Sequence, residues 1–219
     1  MTGRQLFDAG AIRALDRRTV FVRVVERPTL VLGSTQNPDI VDPAALARHG
    51  VELVGRRSGG GAVLLEPGRA VWLDTWVPRA DRLWSDDVTR SSSWVGSWWA
   101  ESLGDRRLDV HRGPPMASRW SDLICFAGVV SGEVVLADRK LVGIAQWRTR
   151  TGALTHSLAY VGTAWGRVAE LLGIGTPDVA TELAASTATL PDVAVTDPVR
   201  LVATLIEHLP DPESWERGT

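Results

Sequence analysis

Segments that read as β-strands come in clusters along this chain rather than alternating one for one with helices, and that order limits the fold more than any other feature. Val20 to Glu26 alternates and is rich in valine, which predicts a strand; Thr29 to Leu32 predicts a second, separated from the first by Pro28. Glu52 to Val54 predicts a third, and Ala62 to Leu65 with Val71 to Val77 predicts a hairpin around Glu66-Pro67-Gly68-Arg69. Further strands are expected at Leu123 to Phe126, Glu133 to Leu136, Leu141 to Gln146 and Leu154 to Tyr160. Helices are expected from about Pro43, over Asp86 to Leu103 with Gly104 as the stop, over Ala164 to Leu172 and over Pro198 to Leu209. A mixed central β-sheet flanked by helices, in the α+β class, accommodates this order; a doubly wound sheet does not.

At 219 residues the chain is long enough for one substantial core, and a single domain over residues 1–219 is expected. A formal net charge of −2 provides no electrostatic footprint for nucleic acid or an anionic membrane. One cysteine, Cys125, excludes an intramolecular disulfide framework and a multi-cysteine zinc site, and the four histidines show no metal-ligand spacing, so no metal site is expected. Met1 to Phe7 lacks an apolar leader and no run is long enough to span a bilayer. Together these read as a reduced, soluble, cytoplasmic protein. Seven of the ten tryptophans lie between Trp72 and Trp120, where large core or interface residues are the plainest reading.

Two segments could carry chemistry. Lys140 is the only lysine among 24 basic residues, in Arg139-Lys140-Leu141-Val142-Gly143-Ile144-Ala145-Gln146. A lysine can do what arginine cannot: give up its proton, or act as a compact point charge. Upstream, Arg56-Arg57-Ser58-Gly59-Gly60-Gly61-Ala62-Val63 places three glycines after a strand candidate, where backbone can approach a ligand without interference from Cβ. The flanking arginines suit a carboxylate or phosphate. The block is not a P-loop, because no Gly-Lys-Ser/Thr ending follows, and its glycine spacing is not that of a dinucleotide fingerprint. Taken singly, each segment is also compatible with a solvated turn.

Together with Leu32-Gly33-Ser34-Thr35-Gln36-Asn37, these segments occur in an order that resembles the lipoate–protein ligases and octanoyltransferases, the lipoyl branch of the biotin/lipoyl protein ligase superfamily. The resemblance covers roughly residues 20 to 172. It implies that superfamily's catalytic-domain architecture and an activity in protein lipoylation. Carried over residue by residue, Lys140 becomes the catalytic cation. Arg57, Ser58, Gly59, Gly60, Gly61, Ala62, Gly143 and Ala145 become acyl- or adenylate-binding residues, with Arg56, Gln36, Asn37 and His156 as weaker candidates. Val63 and the tryptophan-rich segment are expected to wall the acyl tunnel. Two departures stand out: Leu65-Glu66-Pro67-Gly68-Arg69 replaces a common His-Asp-x-Gly-Asn, and His156-Ser157-Leu158 replaces His-Gly-Ser or His-Gly-Thr.

Within the family, ligases activate lipoate with ATP and Mg, whereas transferases carry the acyl group on a cysteine. Ile124-Cys125-Phe126, fifteen residues before Lys140, resembles the cysteine octanoyltransferases. That resemblance implies octanoyl or lipoyl transfer from an acyl carrier protein, through a Cys125 thioester. The acceptor would be a lysine on the lipoyl domain of a 2-oxoacid dehydrogenase or on glycine cleavage H protein. The alternatives are an ATP-dependent lipoate–protein ligase and a non-catalytic acyl-binding relative. A buried, inert thiol is the plain alternative for Cys125. About fifty residues follow Trp165, which suggests no separate accessory domain.

Overall fold

The computed structural model describes residues 4–5, 8–175 and 177–218, so most of the N-terminal segment read above as lacking a leader lies outside the described residues. Among the described residues, eleven strands form two sheets. The smaller sheet holds β1 (Arg4–Gln5), β3 (Thr29–Leu32), β4 (Glu52–Gly55) and β5 (Val63–Leu65), in the order β1-β4-β3-β5. The larger holds β2 (Arg18–Val22), β6 (Ala70–Pro78), β7 (Leu108–Val110), β8 (Val134–Leu136), β9 (Arg139–Arg148), β10 (Gly152–Tyr160) and β11 (Trp215–Arg217). Its order is β11-β2-β6-β10-β9-β8-β7, antiparallel except where β11 runs parallel to β2. Helices α1 (Ala9–Arg13), α2 (Pro43–His49), α3 (Val88–Leu103), α4 (Trp165–Leu171), α5 (Pro177–Ser186) and α6 (Pro198–Glu207) complete the fold. The α+β class holds, with a mixed sheet flanked by helices and a second, smaller sheet beside it.

Local chemistry explains several boundaries. Asp87 begins α3 by accepting the backbone N–H groups of Thr89 and Arg90, and Gly104 ends it at φ 66°, a left-handed position that glycine takes without a Cβ penalty. The buried face of α3 (Val95, Trp98 and Trp99) packs on the large sheet together with Leu201 and Leu205 of α6. Each such side chain contributes about 1.5–3 kcal/mol when fully buried. The Trp98 indole N–H also donates to the Leu205 carbonyl at 2.8 Å. A second core lies under the small sheet, against α2, α4 and α5. A third, made of Val31, Leu65, Trp72, Phe126, Leu158 and Tyr160, joins the two sheets, and the site forms around it.

Three expectations need correction. The predicted hairpin between residues 62–65 and 71–77 does not form: β5 pairs with β3 and β6 pairs with β2 and β10. Residues 71–77 are all buried, so β6 must be central, and its two flanks are taken by longer partners. The predicted strand at Leu123 to Phe126 is reduced to a bridge between Ile124 and Ala62, followed by a 3-10 turn over Cys125–Ala127. The carbonyls of Cys125 and Gly128 turn to the Lys140 ammonium instead of a neighbouring strand. The first strand ends at Val22 rather than Glu26, and α5 was not anticipated.

Candidate active site

Lys140 is the second residue of β9, just past a tight hairpin whose central residues, Ala137 and Asp138, both have positive φ. This is the backbone twist a two-residue connection requires. The turn directs the Lys140 side chain inward, where it is 2 % exposed. Its ammonium donates to the carbonyls of Cys125 at 2.7 Å and Gly128 at 3.0 Å, and pairs with Glu133 Oε1 at 2.6 Å. Cys125 Sγ lies 3.8 Å from the same nitrogen. Burial works against the charge on Lys140, but Cys125 and Glu133 outweigh it and hold the ammonium above the usual lysine range. Burial pushes the Glu133 carboxyl up, opposed by Lys140 and by the N–H groups of Val130 and Ile144 that it accepts.

The glycine triplet docks against the Cys125 turn. Ala62 donates its N–H to Leu123 O at 2.7 Å, and Cys125 donates its own to Ala62 O at 3.1 Å. A Cβ at Gly61 would stand 2.6 Å from the Ile124 and Cys125 backbone, and one at Gly33 would stand 1.9 Å from the Gly60 carbonyl. Only glycine permits either approach. Arg56, only 6 % exposed, ties this loop together: its guanidinium donates to Ser58 Oγ and to the carbonyls of Gly59 and Gly61, the latter two at 2.8 Å. Arg57 turns outward and lies over the Trp147 indole, 5.5 Å from its centroid. Of the two arginines, the one given less weight in the sequence therefore organises the loop.

Two spaces meet at Cys125. One is an apolar cavity lined by Val31, Val63, Leu65, Trp72, Phe126 and Leu158, with Arg56, Cys125, Gly143, Ala145 and His156 also on its wall. The other is an open pocket between the glycine triplet and Lys140, with Met116, Ser121, Glu133 and Gln146 on its far side. Cys125, Ile144 and Ala145 border both. Gly143 leaves room for the Phe126 ring, which would meet a Cβ there at 3.1 Å. The Cys125 thiol therefore stands where a small apolar cavity meets an open, more polar pocket.

The remaining candidates divide. Gln36 braces the loop by accepting the Gly33 N–H and donating to the Asp122 and Leu123 carbonyls. Asn37 caps an exposed turn away from the cavity, its side chain accepting the Asp39 N–H. Ser58 is buried and bonded to Arg56. His156 lies on the cavity wall with Nδ1 2.6 Å from Asp74 Oδ1. Asp74 also binds Arg23 and the Trp72 indole N–H, both at 2.7 Å. Neither Glu133 nor Asp74 was singled out from the sequence, although a signal existed: each is a lone carboxylate in an apolar strand region, which must find partners if buried. Among the described residues, no group of three or more His, Cys, Asp or Glu side chains could hold a metal ion, and no helix is long and apolar enough to cross a membrane.

The model of the lipoyl protein ligase A/B catalytic domain matches residues 8–194. This chain belongs to that family. No curated protein sequence matches it significantly. Among solved structures, it is similar to a bipartite lipoate–protein ligase of Thermoplasma acidophilum, described with its E2 lipoyl domain. That match has 17 % identity and a TM-score of 0.74, covering 100 % of this chain and 88 % of the other. A T. acidophilum structure with bound lipoic acid gives 17 % identity and a TM-score of 0.69 over the same shares. Lipoate–protein ligase A bound with ATP gives 16 % and 0.69, covering 100 % and 90 %. At these identities the likeness is one of fold.

Proposed function

We propose that this family member modifies proteins with a lipoyl-type acyl group, and does so by thioester exchange at Cys125. The observation that carries the reading is the position of its sulfur, at the junction of an apolar cavity and an open pocket and 3.8 Å from the Lys140 ammonium. A thiolate is the reactive form of cysteine. In the first half-reaction Sγ attacks the carbonyl of an octanoyl thioester on a carrier. The donor's C–S bond breaks, and its thiol takes up the proton Cys125 gives up. In the second half-reaction the amine of an acceptor lysine attacks the Cys125 thioester. An amide forms, and the amine's proton returns to the departing sulfur. Lys140 offsets negative charge developing on the carbonyl oxygen and on sulfur. The acceptor is a lipoyl domain, the partner described with the T. acidophilum ligase.

Intact mass after mixing the protein with octanoyl-loaded acyl carrier protein, without ATP, tests this. An octanoyl adduct is expected on wild type and absent from Cys125→Ala. If no adduct forms and a lipoyl domain is modified only with lipoate and ATP, the protein is a ligase and Cys125 a packing residue.

A further inference from the structure

On the far side of the glycine triplet from Lys140 lies a crevice bordered by Gly33, Ser34, Gln36, Arg57 and Trp147. Arg57 and Arg13 both stack on Trp147, their guanidinium carbons 5.5 Å and 5.2 Å from the ring centroid. Both are exposed, and among the described residues neither forms an ion pair. Among the described residues, no carboxylate lines the crevice. In a chain of net charge −2, where eleven other arginines are paired with acids, this is a local excess of free positive charge. Stacking fixes the planes of the two guanidinium groups while leaving N–H edges free, an arrangement suited to bidentate contact with phosphate oxygens.

Resting on the thioester reading above, we infer that the Arg13–Trp147–Arg57 cluster binds the phosphate of a phosphopantetheine-bearing acyl donor. The charges on the two sides of the glycine triplet favour the donor over the acceptor. The open pocket beside Cys125 is lined by the Lys140–Glu133 pair, whose opposite charges offset each other. The Arg57 side presents guanidinium groups with no carboxylate among its described lining residues, which suits the fixed negative charge of the donor arm and repels an ammonium. With the acyl chain in the apolar cavity, that phosphate must lie outside it, because burying an unpaired charge is prohibitive.

The test is the rate of Cys125 acylation by three donors: octanoyl-acyl carrier protein, octanoyl-coenzyme A, and the octanoyl thioester of N-acetylcysteamine, which has no phosphate. Wild type is compared with Arg13→Ala, Arg57→Ala and Arg57→Lys. In the two alanine variants the preference for each phosphate-bearing donor over the phosphate-free one should fall about tenfold, as expected for loss of a charge-assisted contact. Arg57→Lys should recover part of it, and the preference should weaken with salt in wild type more than in the variants. An unchanged preference overturns the inference. So does a loss confined to the carrier protein, which would place the contact on the carrier's own surface. Wild type that none of the three donors acylates would instead overturn the thioester reading itself.

Discussion

At the scale of single residues, the site is built on a buried ion pair. Lys140 spends its hydrogen bonds on Glu133 and two main-chain carbonyls, so its charge and position are set by the protein before any substrate arrives. Under the proposed thioester exchange, Glu133 would act through Lys140 as a positioning residue. Removing one partner of such a buried pair costs about 3–5 kcal/mol, because the other charge is left uncompensated. Glu133→Gln should lower stability by that order in urea denaturation and slow Cys125 acylation. Adding Lys140→Met should restore most of the stability but none of the rate. Additive losses in the double variant would show that the two side chains do not act as a pair.

At the scale of elements, the glycine triplet is shaped by what it packs against. The Gly33 end of β3 and the Cys125 turn press on it from two sides, close enough that a methyl group at Gly33 would overlap the Gly60 carbonyl. Gly33→Ala should cost about 1–3 kcal/mol of stability, the usual range for overpacking. It should also slow Cys125 acylation, because the displaced loop is pushed against the Cys125 turn on which it packs. A variant with wild-type melting and acylation would mean the loop is free to yield. The glycines were legible in the sequence as a place of close approach. Their neighbours were not, because the Cys125 turn and Gly33 reach them through the Ala62–Ile124 bridge and a close approach to Gly60, long-range contacts that no local pattern records.

For the molecule as a whole, Asp74 links the two sheets' connecting segment to the cavity wall. It sits on β6, pairs with Arg23 after β2, and meets His156 on β10. Burial alone would raise its carboxyl, but His156 and Arg23 hold it below the usual carboxylate range. A depressed folded value means that the stabilisation is complete above the unfolded value of about 3.9 and is lost as pH falls through the folded one. Asp74→Asn should therefore be less stable at neutral pH and lose less additional stability than wild type below about pH 4. Urea midpoints measured across that range check this, and parallel curves for the two proteins would defeat it.

What the sequence determined alone is local. The capped helix at Val88–Leu103, the β9 and β10 strands, the lysine that survived among arginines and the glycine block are each visible in a short window, because propensity, capping and backbone freedom act over a few residues. The tertiary structure alone decided that β5 leaves its neighbour β6 for β3, that Arg56 rather than Arg57 threads the glycine loop, and that Glu133 and Asp74 are the carboxylates that matter. Those outcomes depend on which surfaces can be buried together and which buried charges can be matched, and such partners lie tens of residues apart in the chain.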